Sequence, residues 1–237
     1  MTKRPALAIA LFATVTVALA GCVYIPIPMG PRVTEDRDID DVTAVVLKTD
    51  GDVVVTLGDT PSLTITARAA AMSLLTSEVD DGVLTLNVNG PHLGLGDVDY
   101  ALTVQEISDI TIDGSGDVIV DFTGADDVNV AIAGSGDIEG SNLDASNVTS
   151  SIEGSGDIEL TGRADEHTLE IDGSGNFDGQ EFETERARVS ISGSGDVEVF
   201  VTGELDADIS GSGEIRYTGD PEVTSDVSGS GSVVQDD

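Results

Sequence analysis

The tripeptide Gly-Ser-Gly occurs seven times in this chain, starting at Gly114, Gly134, Gly154, Gly173, Gly193, Gly211 and Gly229, at spacings of 18 to 20 residues. A fixed period near 20 marks a stacked repeat, in which one unit cannot bury its own apolar face and must lie on a copy of itself. Two residues before each copy stands a branched apolar residue: Ile112, Ile132, Ile152, Ile171, Ile191, Ile209 and Val227. Two residues beyond each second glycine stands another apolar residue: Val118, Ile138, Ile158, Phe177, Val197, Ile215 and Val233. Between corners the pattern alternates, so that Val128, Val130 and Ile132 share one face, as in a half-buried strand. Stacking equivalent strands about 4.8 Å apart aligns these positions into a continuous core, which specifies an all-β parallel β-helix (solenoid) of about 20-residue coils. Two glycines at each corner permit positive φ and a change of strand direction within three residues. The serine hydroxyl is expected to bond local backbone or its stacked neighbour. Seven identical serines are accounted for by turn geometry, without a catalytic role.

The regular repeats cover 107–237. Upstream, 42–106 reads as degenerate coils of the same β-helix domain, with Asp50-Gly51-Asp52 standing where Gly-Ser-Gly-Asp stands later. Ala67 to Leu75 is the one stretch with helical propensity there, and is placed to cover a strand edge at that end. Residues 22–41, with Pro26, Pro28 and Pro31, read as an extended tether. Residues 1–21 read as a signal peptide: Lys3 and Arg4, then an apolar run shorter than the roughly 18 residues of a membrane span. The run ends in Leu19-Ala20-Gly21-Cys22, which resembles a bacterial lipobox. That resemblance implies cleavage before Cys22 and lipid attachment on its sulfur, with the chain held at the extracytoplasmic face of a bacterial membrane. Cys22 is the sole cysteine, so the chain forms no internal disulfide.

The formal net charge is −35, which disfavours nucleic acid and anionic lipid headgroups as partners and favours cations or basic surfaces. The residues Asp52 to Asp59, Val79 to Leu86 and the repeated Ile/Val-x-Gly-Ser-Gly-Asp/Asn-Ile/Val together resemble the putative auto-transporter adhesin, head GIN domain family, over nearly all of 40–235. The resemblance implies a right-handed β-helix-like domain, commonly exported and lipid-anchored, with no family catalytic residues to transfer.

Chemistry is sparse beyond this. The residue after each corner is Asp117, Asp137, Asp157, Asn176, Asp196, Glu214 or Ser232, which stacking turns into a column. Asp117, Asp137, Asp157 and Asp196 are thus the weak candidates for calcium. Tight calcium sites need six to eight oxygens about one ion, and Asn176 and Ser232 interrupt the column, so turn-capping aspartates are the expected reading and no metal is assigned. His92 and His167 lie far apart among polar neighbours and are expected on exposed loops. Arg186 and Arg188 among Glu181, Glu183 and Glu185 read as a solvated ion-pair network. No nucleophile elbow, phosphate loop or Cys/His cluster is present, and no cofactor is implied. The expectation is a non-enzymatic, lipid-anchored envelope solenoid, an interaction or adhesion module whose envelope partner is unknown. A polysaccharide-active β-helix enzyme and a calcium-responsive scaffold are the alternatives.

Overall fold

A computed structural model describes residues 30–90 and 94–236. Cys22 and His92 therefore lie outside the described residues, as do the leader and the first part of the expected tether. Among the described residues no helix is long and apolar enough to cross a membrane.

The regular region is a parallel β-solenoid. Strands β10 (Asp127–Gly134), β11 (Ile138–Gly154), β12 (Ile158–Gly173), β13 (Phe177–Gly193) and β14 (Asp196–Gly211) stack in that order, each parallel to the next. The strands of 16 or 17 residues run around most of a coil, and the Gly-Ser-Gly corner is what separates one from the next. The inward column before the corner runs Leu47, Ile112, Ile132, Ile152, Ile171, Ile191, Ile209, each a register partner of the next. The column beyond it runs Val53, Val118, Ile138, Ile158, Phe177, Val197, Ile215 in the same way. All of these side chains are buried. At roughly 1.5–3 kcal/mol for each fully buried large aliphatic or aromatic side chain, the two columns dominate what holds the coils together. Differences in coil length are absorbed away from the corner. Register shifts fall between Gly140 and Leu143, between Glu159 and Gly162, and between Gly179 and Arg186. Asn142 adopts a positive φ of 59° at the first of these.

Upstream, β2 (Ala44–Leu47) and β3 (Asp52–Leu57) lie parallel to β8 (Asp109–Ile112) and β9 (Val118–Asp121) and extend the solenoid. Strands β6 (Val83–Val88) and β7 (Asp99–Val104) stack parallel on β2 and β3. Beyond them the pairing becomes antiparallel: β5 (Leu75–Asp80) on β6, and β4 (Ser62–Arg68) on β7. The short helix α1 (Ala69–Met72) packs against β4 with Ala71 and Met72 buried, so the helical stretch does sit at this end.

The expected tether over 22–41 is corrected for its last part. Residues Arg32–Arg37 form β1, antiparallel to β4. The β4 edge beyond β7 is open, and polar side chains close it: Thr34 Oγ1 lies 3.0 Å from Thr66 Oγ1, and Thr64 Oγ1 donates to Asp36 Oδ1 at 2.8 Å. Arg32 pairs with Asp99. Arg37 reaches across to β5, donating to Leu75 O and Ser77 Oγ at 3.1 Å each.

Candidate functional site: the acidic corner face

At each corner the chain lies on its own copy one coil away. A Cβ added at Gly134 or Gly136 would come 2.0 Å from the carbonyl oxygen of Gly114 or Gly116, respectively, far inside contact distance. The same stacking reaches back to Gly51, whose oxygen would be 2.0 Å from a Cβ at Gly116, so the Asp50-Gly51-Asp52 turn occupies the place of a corner. Positive φ is confined to the first glycine of a corner, for example 145° at Gly173 and 143° at Gly211. The second glycine is required by close approach, which modifies the expectation that both serve turn conformation. Serine is exposed at every corner before the last coil, and it is the serine backbone N–H that binds: Ser135 donates to Gly114 O (3.0 Å) and Ser174 to Gly154 O (2.8 Å).

The next residue continues the ladder with its side chain. Asp137 N–H donates to Asp117 Oδ1 (3.0 Å), Asp157 N–H to Asp137 Oδ1 (2.9 Å), and Asn176 N–H to Asp157 Oδ1 (2.9 Å). Asp196 N–H then donates to Asn176 Oδ1 (3.1 Å), and Glu214 N–H to Asp196 Oδ1 (3.1 Å). Ser232 Oγ closes the series on Glu214 Oε2 (3.0 Å). From Asp117 to Asp196 each side-chain oxygen thus accepts the amide of the following coil. Asn176 keeps the series intact because its Oδ1 is as good an acceptor, while its Nδ2 donates to Asp157 Oδ1 (2.9 Å). Stacked carboxylates about 4.8 Å apart repel by roughly 0.9 kcal/mol in bulk water. An amide hydrogen bond to a charged acceptor, at about 1.5–3 kcal/mol, outweighs that cost. Asp117, Asp137, Asp157 and Asp196 are brought into one exposed column. Among the described residues no group of three or more His, Cys, Asp or Glu side chains is arranged to hold a metal ion.

Beside this column runs a second exposed row that the sequence reading did not single out. Ile119, Glu139, Glu159, Asp178, Glu198 and Arg216 are successive register partners two residues beyond the corner acids. Period-two alternation places them on the same side as the column, and that was the available signal. The two rows line one open groove of about 670 Å³, spanning six coils. Arg216 is its one cation and donates to Glu198 Oε1 (3.2 Å).

Three further arginines bridge coils elsewhere on the surface. Arg163 binds Asp144 through two bonds of 2.7 and 3.0 Å, and holds that carboxyl below its ordinary range. Arg186 binds Glu166 and Glu185, and Arg188 binds Asp206.

His167 is corrected from an exposed loop to the core. Its side chain is buried, with ring centroids 4.9 Å from Phe177 and 5.3 Å from Phe182. Nε2 lies 3.0 Å from the buried Ser150 Oγ, and Nδ1 has no hydrogen-bond partner among the described residues. Burial drives its pKa down to about 3, so the ring is neutral at physiological pH. The repeat alignment contained the signal: His167 takes the inward position held by Val148 one coil before and Ala187 one coil after.

Comparison with known proteins agrees with this architecture. A putative adhesin from Bacteroides fragilis superposes with a TM-score of 0.83 at 22% identity, covering 87% of this chain and 97% of its own. A protein named as a putative lipid binding protein from Parabacteroides distasonis gives 0.74 at 26% identity, covering 88% and 98%. A putative adhesin from Parabacteroides merdae gives 0.67 at 22% identity, covering 88% and 97%. No curated protein matches the sequence. The model of the family described as putative auto-transporter adhesin, head GIN domain, matches residues 41–221, and the chain belongs to that family.

Proposed function

We propose that this chain is a non-enzymatic envelope module, anchored through lipid on Cys22, whose two-row acidic face binds a cationic surface or polymer of the cell envelope. The observation that carries the reading is the form of the groove. Its lining repeats from coil to coil, and the corner carboxylates within it are already hydrogen-bonded along the column. A surface built from near-identical rungs suits an extended, repetitive partner better than a single small substrate, which needs a few convergent groups in one pocket. In the second row Glu139 and Glu159 are exposed and present charge outward, while Asp178 accepts the Gln180 amide and the half-buried Glu198 is engaged by Gln180 and Arg216. The resemblance of Leu19 to Cys22 to a lipobox supports the anchor, and the names of the family and of two of its structural relatives support a surface location.

Two experiments test this. Cys22→Ser should abolish incorporation of labelled fatty acid and leave a precursor-sized chain that keeps its apolar leader; fatty-acid labelling and chain size both unchanged would sink the lipid anchor. Glu139→Gln, Glu159→Gln and Glu198→Gln together should weaken capture of purified envelope material and reduce its salt dependence. Capture unaltered by the triple change would show that this face is not the binding surface.

A further inference from the structure

The two ends of the solenoid are finished differently. At the N-terminal end, antiparallel strands cover the last parallel coil, α1 packs over β4, and Arg37 clasps β5. Inward-reaching charge and antiparallel cover are the usual ways to blunt a sheet edge. At the C-terminal end, β15 (Glu214–Thr218) is followed by β16 (Glu222–Gly229) and β17 (Ser232–Gln235), and among the described residues nothing covers these last two strands. Among the described residues β16 has a strand register partner on one side only, β14. Its inward positions Val223, Ser225 and Val227 stack on Leu205, Ala207 and Ile209, which are buried. Yet Val223 is 37% exposed and Val227 40%, because no further coil lies on them.

We propose that this end is a self-complementary docking surface, on which β16 of a second copy pairs antiparallel about a two-fold axis through Ser225. The order of residues in β16 selects that register. Centred on Ser225, Val223 lies opposite Val227, Ser225 opposite itself, Thr224 opposite Asp226 and Glu222 opposite Ser228. Both valines stay on the core side, and every carboxylate meets a hydroxyl. Centring on Thr224 sets Glu222 against Asp226, and centring on Asp226 sets that residue against its own copy, so both neighbouring registers oppose like charges. The covered N-terminal end offers no matching parallel edge for head-to-tail growth. The contact is therefore isologous and closes at two copies. Each copy carries a net charge of −35, so association strengthens as salt screens the long-range repulsion.

Sedimentation of the full chain in low and high salt tests this, with a two-copy mass expected and its share rising with salt. Thr224→Lys places two opposite-charge pairs across the axis and should tighten association about fivefold, whereas Thr224→Asp should weaken it about fivefold. Both changes fall on an exposed outward side chain, and circular dichroism melting checks that each variant keeps the fold. In a Cys22→Ser chain, Ser225→Cys should crosslink the two copies under mild oxidation, because directly opposed residues in an antiparallel pair are within disulfide reach. Ser232→Cys should not. A one-copy mass in all salts, or a two-copy mass indifferent to Thr224 substitutions and not trapped at residue 225, would overturn the proposal.

Discussion

A Cβ at Gly136 has nowhere to go: the Gly116 carbonyl is 2.0 Å away, and the obstacle is backbone on both sides. Gly136→Ala should therefore cost about 3 kcal/mol or more in a urea unfolding curve, since the coils themselves must separate. The exposed neighbour Ser135→Ala should stay within about 0.5 kcal/mol. Equal effects at the two positions would mean that close approach does not require the second glycine. His167 gives a second measurement. Its pKa is about 3 in the fold against an ordinary value near 6.5, so the fold favours the neutral ring. That contribution is complete above about pH 6.5 and is lost as pH falls from there toward 3. Between about pH 7 and pH 5 the chain should lose about 2 kcal/mol more stability than His167→Leu does. Parallel curves for the two would place a proton acceptor beside Nδ1. The charged groups around it, Glu166, Arg186 and Asp206, are outward-facing on the same strands and register-paired neighbours, so the comparison isolates the ring.

At the scale of strands and coils, the isoleucine and valine columns were legible because both follow from one spacing repeated seven times. Register then left little freedom: Ile132 opposite Ile152 also sets Gly134 opposite Gly154. The corner acids were legible as a column for the same reason. Their bonding was not, because whether Oδ1 faces solvent, an ion or the next amide is a matter of rotamer. Strand β1 was hidden because Arg32 to Arg37 is polar apart from Val33 and takes its order from the β4 edge, a contact remote in sequence. His167 was misplaced for a simpler reason. Its immediate neighbours Glu166 and Thr168 are polar, whereas its place in the coil, opposite Val148, is an inward one. Hydrogen exchange should rank these elements. Amides of β12 and β13, flanked by parallel strands on both sides, should exchange slowest, and open-edge amides of β16 fastest in one-copy protein. Uniform protection along the solenoid would contradict coil-by-coil stability.

Across the whole molecule, the same alternation that buries one face loads the other with acid, and the net charge of −35 is its consequence. The solenoid tolerates this because basic residues such as Arg163 and Arg186 bridge coils, and because corner carboxylates accept amide hydrogens along the stack. If the second of these holds, charge at the corner is dispensable and the acceptor oxygen is not. Replacing Asp117, Asp137, Asp157 and Asp196 together by Asn keeps the oxygen and removes four charges. Thermal melting of both chains, with calcium and with a chelator at one ionic strength, reads the difference. A hydrogen-bond ladder requires the Asn chain to melt at the same temperature or higher, with neither chain responding to calcium. A wild-type midpoint that rises with calcium and falls with chelator, together with a lower, calcium-insensitive midpoint for the Asn chain, would make the column a row of cation ligands instead.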